Sequence, residues 1–234
     1  MFGIFTGVIV NVATVIVGTL LGCLFKGELL ERIGQRVREA FGFFTMVLGV
    51  GGALGIDQPI FVLVSLIIGI AIGEILDIDD KFTRLGSGLQ RRFAKGQDGG
   101  KFVHGFVSAT LLFCIGSMTI MGALQSGLEN QHSIYFTKAV LDGVSAATFA
   151  MSAGISVAFS SVMVLIYQGL LVLFASFLEP VLSPEIVTIS TQIGSLSLIG
   201  IGLSLLGIKD VKVANFLPAM FIPFIWQAIQ LIIG

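Results

Sequence analysis

Apolar residues run along this chain in blocks too long for the interior strands or helices of a soluble domain, and short polar connections separate the blocks. Candidate spans fall at 3–25, 40–56, 60–77, 102–123, 137–152, 155–177, 187–206 and 214–233. About 20 apolar residues cross a hydrocarbon core as a helix, and in lipid a helix satisfies its own backbone. The pattern therefore predicts an all-α fold, a polytopic transmembrane bundle of about eight spans forming one domain over 1–234. The fifth block is the shortest. Residues 137–177 are nonetheless one largely apolar stretch of 41 residues, about 60 Å as helix, which suits two spans joined at Ser152–Gly154. A re-entrant fifth segment with seven crossings is the alternative.

Charge arbitrates between these readings. Only 12% of residues are charged, against 55% apolar, and the mean hydropathy is +1.01, too few charges to cover a water-facing surface. Of the 13 Lys and Arg residues, all but Lys138 fall in three connections: 26–39 (Lys26, Arg32, Arg36, Arg38), 78–101 (Lys81, Arg84, Arg91, Arg92, Lys95, Lys101) and 207–213 (Lys209, Lys212). Lys and Arg are retained in short cytoplasmic connections. Eight crossings put all three on the cytoplasmic side, with both termini outside, whereas seven would expose Lys209 and Lys212. The first apolar block lacks a preceding basic segment and reads as a retained helix.

Connections 26–39 and 78–101 are amphipathic, with Leu29, Ile33 and Val37 in one and Phe82, Leu85, Leu89 and Phe93 in the other. They read either as helices lying against lipid headgroups or as solvated connectors that fix orientation. Four G-x-x-x-G spacings, Gly3/Gly7, Gly18/Gly22, Gly51/Gly55 and Gly69/Gly73, allow close helix approach, within one chain or in a homo-oligomer. An offset of 151–152 residues aligns Gly3 with Gly154, Gly18 with Gly169, Gly42 with Gly194 and the "LGI" at 54–56 with that at 206–208. This implies a repeat of helices 1–3 in helices 6–8, inverted because five crossings separate its halves, as in many secondary transporters.

Ionisable groups inside spans are costly and mark function. Lys138 and Asp142 share one face of the fifth helix, about one and a half turns into it. Ser145, Thr148 and Ser152 continue a polar stripe, so the pair reads either as a boundary salt bridge or as part of a solute site. Asn11 and Thr14 face together in the first span, Tyr167 and Gln168 lie in the sixth, Gln192 in the seventh and Asn215 in the last. Glu74 falls near the cytoplasmic end of the third. Pro218 and Pro223 each remove a backbone donor and predict a kinked or broken last helix. Cys23 and Cys114 read as small buried hydrophobes, and no Cys/His spacing suggests a metal. There is no nucleophile elbow, H-E-x-x-H, P-loop or dinucleotide fingerprint. No cofactor is implied, no basic stripe suggests nucleic acid, and the expectation is a non-enzyme whose partners are lipid and a small solute or ion.

The strings "GVIVNVATVIVGTLLG", "IGEILDIDDKFTRLG", "FVSATLLFCIGSMTIMGALQSGL", "KAVLDGVSA", "VLIYQGLLVLFA" and "GIKDVKVANFLPA", in this order, resemble the YdfK/YqgA-like bacterial membrane proteins, a family defined by a domain of unknown function (554). The resemblance covers essentially the whole chain and implies a multi-pass protein of the bacterial cytoplasmic (inner) membrane. "VLDGVSA" and "GSLSLIGIG" are also similar to strings in the manganese efflux pumps of the lysine exporter superfamily. That likeness would make Asp142 an ion ligand, but Asn11 stands where a second Asp would be, which fits a monovalent ion or neutral polar solute better. The expectation is a transporter with a midplane site built by helices 1, 5, 6 and 8. An oligomeric channel-like pore and a non-transporting scaffold or sensor are the alternatives.

Overall fold

The computed structural model describes residues 3–24, 28–94 and 98–233, apart from the side chains of 28–32 and 34. Lys26, Lys95 and the side chains of Leu29 and Arg32 therefore lie outside the described residues. Within them every regular element is a helix: α1 Thr6–Cys23, α2 Glu28–Ala53, α3 Pro59–Leu76, α4 Ile78–Phe93, α5 Gly99–Cys114, α6 Ser117–Glu129, α7 Ser133–Ala153, α8 Ser156–Leu173, α9 Ala175–Leu178, α10 Pro184–Leu205 and α11 Ile222–Ile233. Short 3₁₀ turns precede α1 and follow α9, and a longer one, Val213–Phe221, leads into α11. Five of these segments are long and apolar enough to cross a membrane, or six if the bent pair α5–α6 counts as one. Their outward faces carry large apolar residues such as Val47, Ile60, Val140 and Leu170, which suits lipid rather than water.

Several boundaries differ from the sequence expectation. Residues 28–53, which span most of the first connector and of the second apolar block, form one helix, α2, because no proline or polar cluster interrupts them, so 28–39 are not a helix separate from the second span. The fourth span is broken instead of continuous. α5 and α6 meet at a 58° bend, where Gly116 takes a φ of +128° that other residues rarely adopt. The fifth helix starts at Ser133, four residues earlier than expected, and its 21 residues reach about 31 Å. The last span runs on over 213–233 without a sharp bend but changes from 3₁₀ to α near its prolines: Pro218 lies inside the 3₁₀ turn and Pro223 in the first turn of α11. Residues 78–93 of the second connector form α4, whose Phe82 and Leu89 pack on Phe102 and Phe106 while Leu85 and Phe93 stay exposed.

Close backbone approach sets the packing. A Cβ at Gly18 or Gly22 would strike the backbone of Gly143 or Ala147, so α1 lies parallel against α7, while Gly69 and Gly73 meet Ala219 and Asn215 in reverse order, so α3 runs antiparallel to 213–221. α2 is antiparallel to α10, with Gly42 on Gly202 and Gly49 on Ser195. The contacts sort the helix ends into two groups. One end joins Glu74 and Asp79 to Asn215, and Gly105 to Ala153 and Ser156; the other joins Gly3 to Asn130 and Gln58 to Glu185. Of the four G-x-x-x-G pairs, Gly3/Gly7, Gly18/Gly22 and Gly69/Gly73 pack within the chain, whereas Gly51 and Gly55 have open space around them.

Candidate functional site

Asp142 lies nine residues into α7, about 13 Å along its axis, so it is deeper than the sequence boundary implied. The glycine-mediated approach of α1 to α7 brings Asn11 beside it, and α8, crossing antiparallel to α1, brings Gln168. Lys138 Nζ lies 2.8 Å from Asp142 Oδ2 and 3.0 Å from Oδ1. Asn11 Nδ2 donates to Asp142 Oδ2 at 3.0 Å and to Gln168 Oε1 at 3.2 Å. Lys138 is 5% exposed, Asp142 7%, and Asn11 and Gln168 0%. The pair thus sits between three helices and not at a boundary where Lys138 reaches water.

Burying two charges costs several kcal/mol each, which their attraction offsets only when further hydrogen bonds satisfy the remaining atoms. The Asn11 amide helps by donating to the carboxylate. That contact also fixes the amide orientation, since a reversed Asn11 would set its oxygen against Asp142, and a reversed Gln168 would set donor against donor. Asn11 Oδ1 and Gln168 Nε2 are then left with no partner. An unsatisfied buried group costs about 1–3 kcal/mol. The cluster therefore presents one acceptor and one donor, next to a neutralised ion pair, to any small polar molecule or ion entering it.

The remaining candidates are distributed as follows. Thr14 is half-buried on α1, and its hydroxyl donates to the Asn11 carbonyl at 2.8 Å. Thr148 donates to the Val144 carbonyl at 2.9 Å within its own helix. Ser145 is half-buried and has no hydrogen bond to the cluster. Gln192 donates to the Gly55 carbonyl at 2.9 Å, tying a loop. Asn215 is not part of the cluster, so helix 8 contributes nothing to it. Asn215 lies at the end bearing the basic connections, where Nδ2 donates to Glu74 Oε1 at 2.8 Å and Oδ1 accepts from the Asp79 backbone N–H at 2.8 Å. Burial raises the pKa of Asp79 beside it, opposed by a hydrogen bond from the Ala214 backbone and by Lys212.

Sequence reasoning missed the break between α5 and α6 and the groups around it. Cys114 ends α5 in the apolar core that also holds Ala146 and Phe149 of α7. Thr119, in the first turn of α6, is buried with its hydroxyl unpartnered while its carbonyl accepts from Tyr135 at 3.0 Å. The sole local signal was Gly116 in "CIGSM". Among the described residues no three His, Cys, Asp or Glu side chains converge as a metal cluster.

A family model described as "Protein of unknown function (DUF554)" matches residues 6–228. The chain belongs to this family. Among the family's curated relatives, the "Uncharacterized membrane protein YdfK" of Bacillus subtilis (strain 168) is 30% identical over 221 residues, covering 93% of each chain. The "Uncharacterized protein YqgA" of Escherichia coli (strain K12) is 32% identical over 222 residues, covering 92% of this chain and 93% of that one. No solved structure matches the chain. The likeness to manganese efflux pumps is not carried by any of these matches. Family membership, apolar helices and outward apolar faces together make this DUF554 member a helical membrane protein.

Proposed function

We propose that this DUF554 protein is a transporter of a small solute or ion, without enzymatic activity, residing in the bacterial cytoplasmic membrane. Its bundle crosses eight times, with α5–α6 as a discontinuous fourth span and 213–233 as the eighth. Three features support this topology: the helix ends fall into two groups, α7 is about as long as the hydrocarbon core is thick, and every Lys and Arg except Lys138 falls in the connections at one end. The expected repeat mates α1/α8, α2/α10 and α3/213–221 each pack against one another, which is compatible with an inverted arrangement around an in-plane axis.

The observation that carries the transport reading is the buried Lys138–Asp142 pair with two amide groups left over. A joint between helices needs neither a desolvated charge nor orphaned donors and acceptors. A carrier site needs both, because the solute must find partners there and still be able to leave. The test measures thermal unfolding in detergent alongside uptake into proteoliposomes, over a panel of inorganic cations and small organic solutes. Asp142→Asn and Lys138→Met each leave one partner of the pair uncompensated, which costs roughly 3–5 kcal/mol. The double variant is expected to regain stability while flux stays lost. Should it regain wild-type flux as well, the pair is structural and the transport site lies elsewhere.

A further inference from the structure

Two cavities open at the end that carries the basic connections. The larger, about 380 Å³, is lined by Asp79, Ser87, His104, Ser108, Leu111 and Asp210 among others. The smaller, about 270 Å³, is lined by Arg38, Lys101, Phe149 and Ser152. They share Gly100, His104 and Ser204 as walls, so they are two arms of one recess. Along α5 the lining runs from Gly99 to Leu111, about 18 Å of helix.

Both arms stop short of the buried cluster. Leu111, at the deep end of the larger arm, is 1% exposed, and one turn beyond it Cys114 lies in the same apolar core as Ala146, one turn from Asp142 on α7. Phe149, lining the smaller arm, is 1% exposed, stacks on Phe41 with centroids 5.0 Å apart and lies two turns from Asp142 on the same helix. Leu111, Phe149, Cys114 and Ile115 belong to one apolar core. The larger arm holds two carboxylates, Asp79 and Asp210, with Lys212 close to Asp79. Arg38, Lys101 and Glu39 stand in the other arm. Ser108, 6% exposed, faces the larger arm with a hydroxyl that makes no hydrogen bond, so its oxygen is available to a ligand.

We propose that this recess is a cytoplasmic vestibule for a small, singly charged cation on its way to the Asp142 cluster, with Leu111 and Phe149 as the closed barrier between them. Two carboxylates on low-dielectric walls concentrate cations, and the Ser108 oxygen supplies a neutral ligand at the deep end. The proposal rests on the transport reading for its purpose, but its geometry is testable without flux.

The native Cys114 serves as reporter in a Cys23→Ala background. Inside-out membrane vesicles are treated with a cationic and an anionic methanethiosulfonate of matched size. Cys114 is expected to stay unlabelled until Leu111→Ala or Phe149→Ala removes the barrier, and then to react from the cytoplasmic side only. The cationic reagent should be faster by about tenfold, and Asp79→Asn with Asp210→Asn should abolish that preference. Ser108→Cys, in a Cys23→Ala/Cys114→Ala background with the barrier intact, should be labelled from the same side, which keeps the test independent of any folding defect in the barrier variants. Labelling of Ser108→Cys from the opposite side, no gain at Cys114 in either folded barrier variant, or a faster anionic reagent overturns the vestibule. Labelling as expected with no uptake of any solute strikes the transport reading alone, and uptake without labelling strikes the vestibule alone.

Discussion

Asn11 and Asn215 are both fully buried in the protein and both sit where glycines let two segments touch, yet they end in opposite states. Asn215 has both ends of its amide paired: Glu74 takes its N–H and the Asp79 backbone supplies its acceptor bond, so α3, α4 and 213–221 are pinned together. Asn11 donates to Asp142 and Gln168 and leaves its oxygen empty-handed beside an ion pair. A joint uses up its polar atoms, because each unsatisfied one weakens it. A site keeps some back. This difference, rather than burial or residue type, separates the structural asparagine from the one proposed to meet a solute.

The strongest way to break the comparison is to deny the joint its close approach. A Cβ at Gly73 would run into the Asn215 carbonyl, whereas one at Gly51 meets nothing within 4 Å. Gly73→Val is therefore expected to abolish a monodisperse peak in size-exclusion chromatography, since neither backbone can move aside without unpacking α3 from 213–221. Gly51→Val should elute as wild type. A well-behaved Gly73→Val protein would mean that the two segments are not held as closely as the glycines imply, and Asn215 would lose its role as a pin.

A smaller effect sharpens the comparison itself. Asn215→Ala leaves Glu74 and the Asp79 N–H without their partner and should cost about 1–3 kcal/mol, with uptake per folded molecule unchanged. Asn11→Ala takes a donor from Asp142 and Gln168 while removing one unsatisfied oxygen, so it should cost a comparable amount of stability while lowering uptake more. Thermal unfolding and uptake measured on both variants decide the matter. Equal loss of uptake in the two would erase the distinction between joint and site.

The sequence announced some of this. An asparagine within "GVIVNVATVIVG" and a Lys–Asp pair at helical spacing within an apolar run stand out because lipid tolerates such groups only with partners, and both proved to be in the cluster. Gln168 was visible for the same reason. Asn215 looked equivalent and was not, because which helix meets which is a tertiary fact that spacing along the chain does not contain. The polar stripe beyond Asp142 misled for a local reason: Thr148 bonds back to its own helix, an option open to any Ser or Thr in a helix. The continuity of α2 and the break at Gly116 escaped because glycine is compatible with both outcomes in a chain with 30 of them, and only packing decides which glycine turns.

The smallest effect concerns Asp79, beside the joint, and runs with pH. Burial lifts its pKa above the ordinary value of 3.8, with the Ala214 backbone and Lys212 pulling the other way. The folded protein thus holds this proton more firmly than the unfolded chain does, so Asp79 contributes most to stability below 3.8 and progressively less as pH rises through its raised folded value. Asparagine keeps an acceptor for the Ala214 N–H and has no charge to desolvate. Asp79→Asn should accordingly raise the unfolding midpoint slightly at neutral pH, and the gain should vanish on acidification to below about pH 4, where the native side chain is protonated in both states. Partial exposure of the group to solvent and salt keeps the effect modest. If Asp79→Asn instead lowers the midpoint at neutral pH, the attraction of Lys212 outweighs burial, and the carboxylate is a third working part of the joint that Asn215 forms.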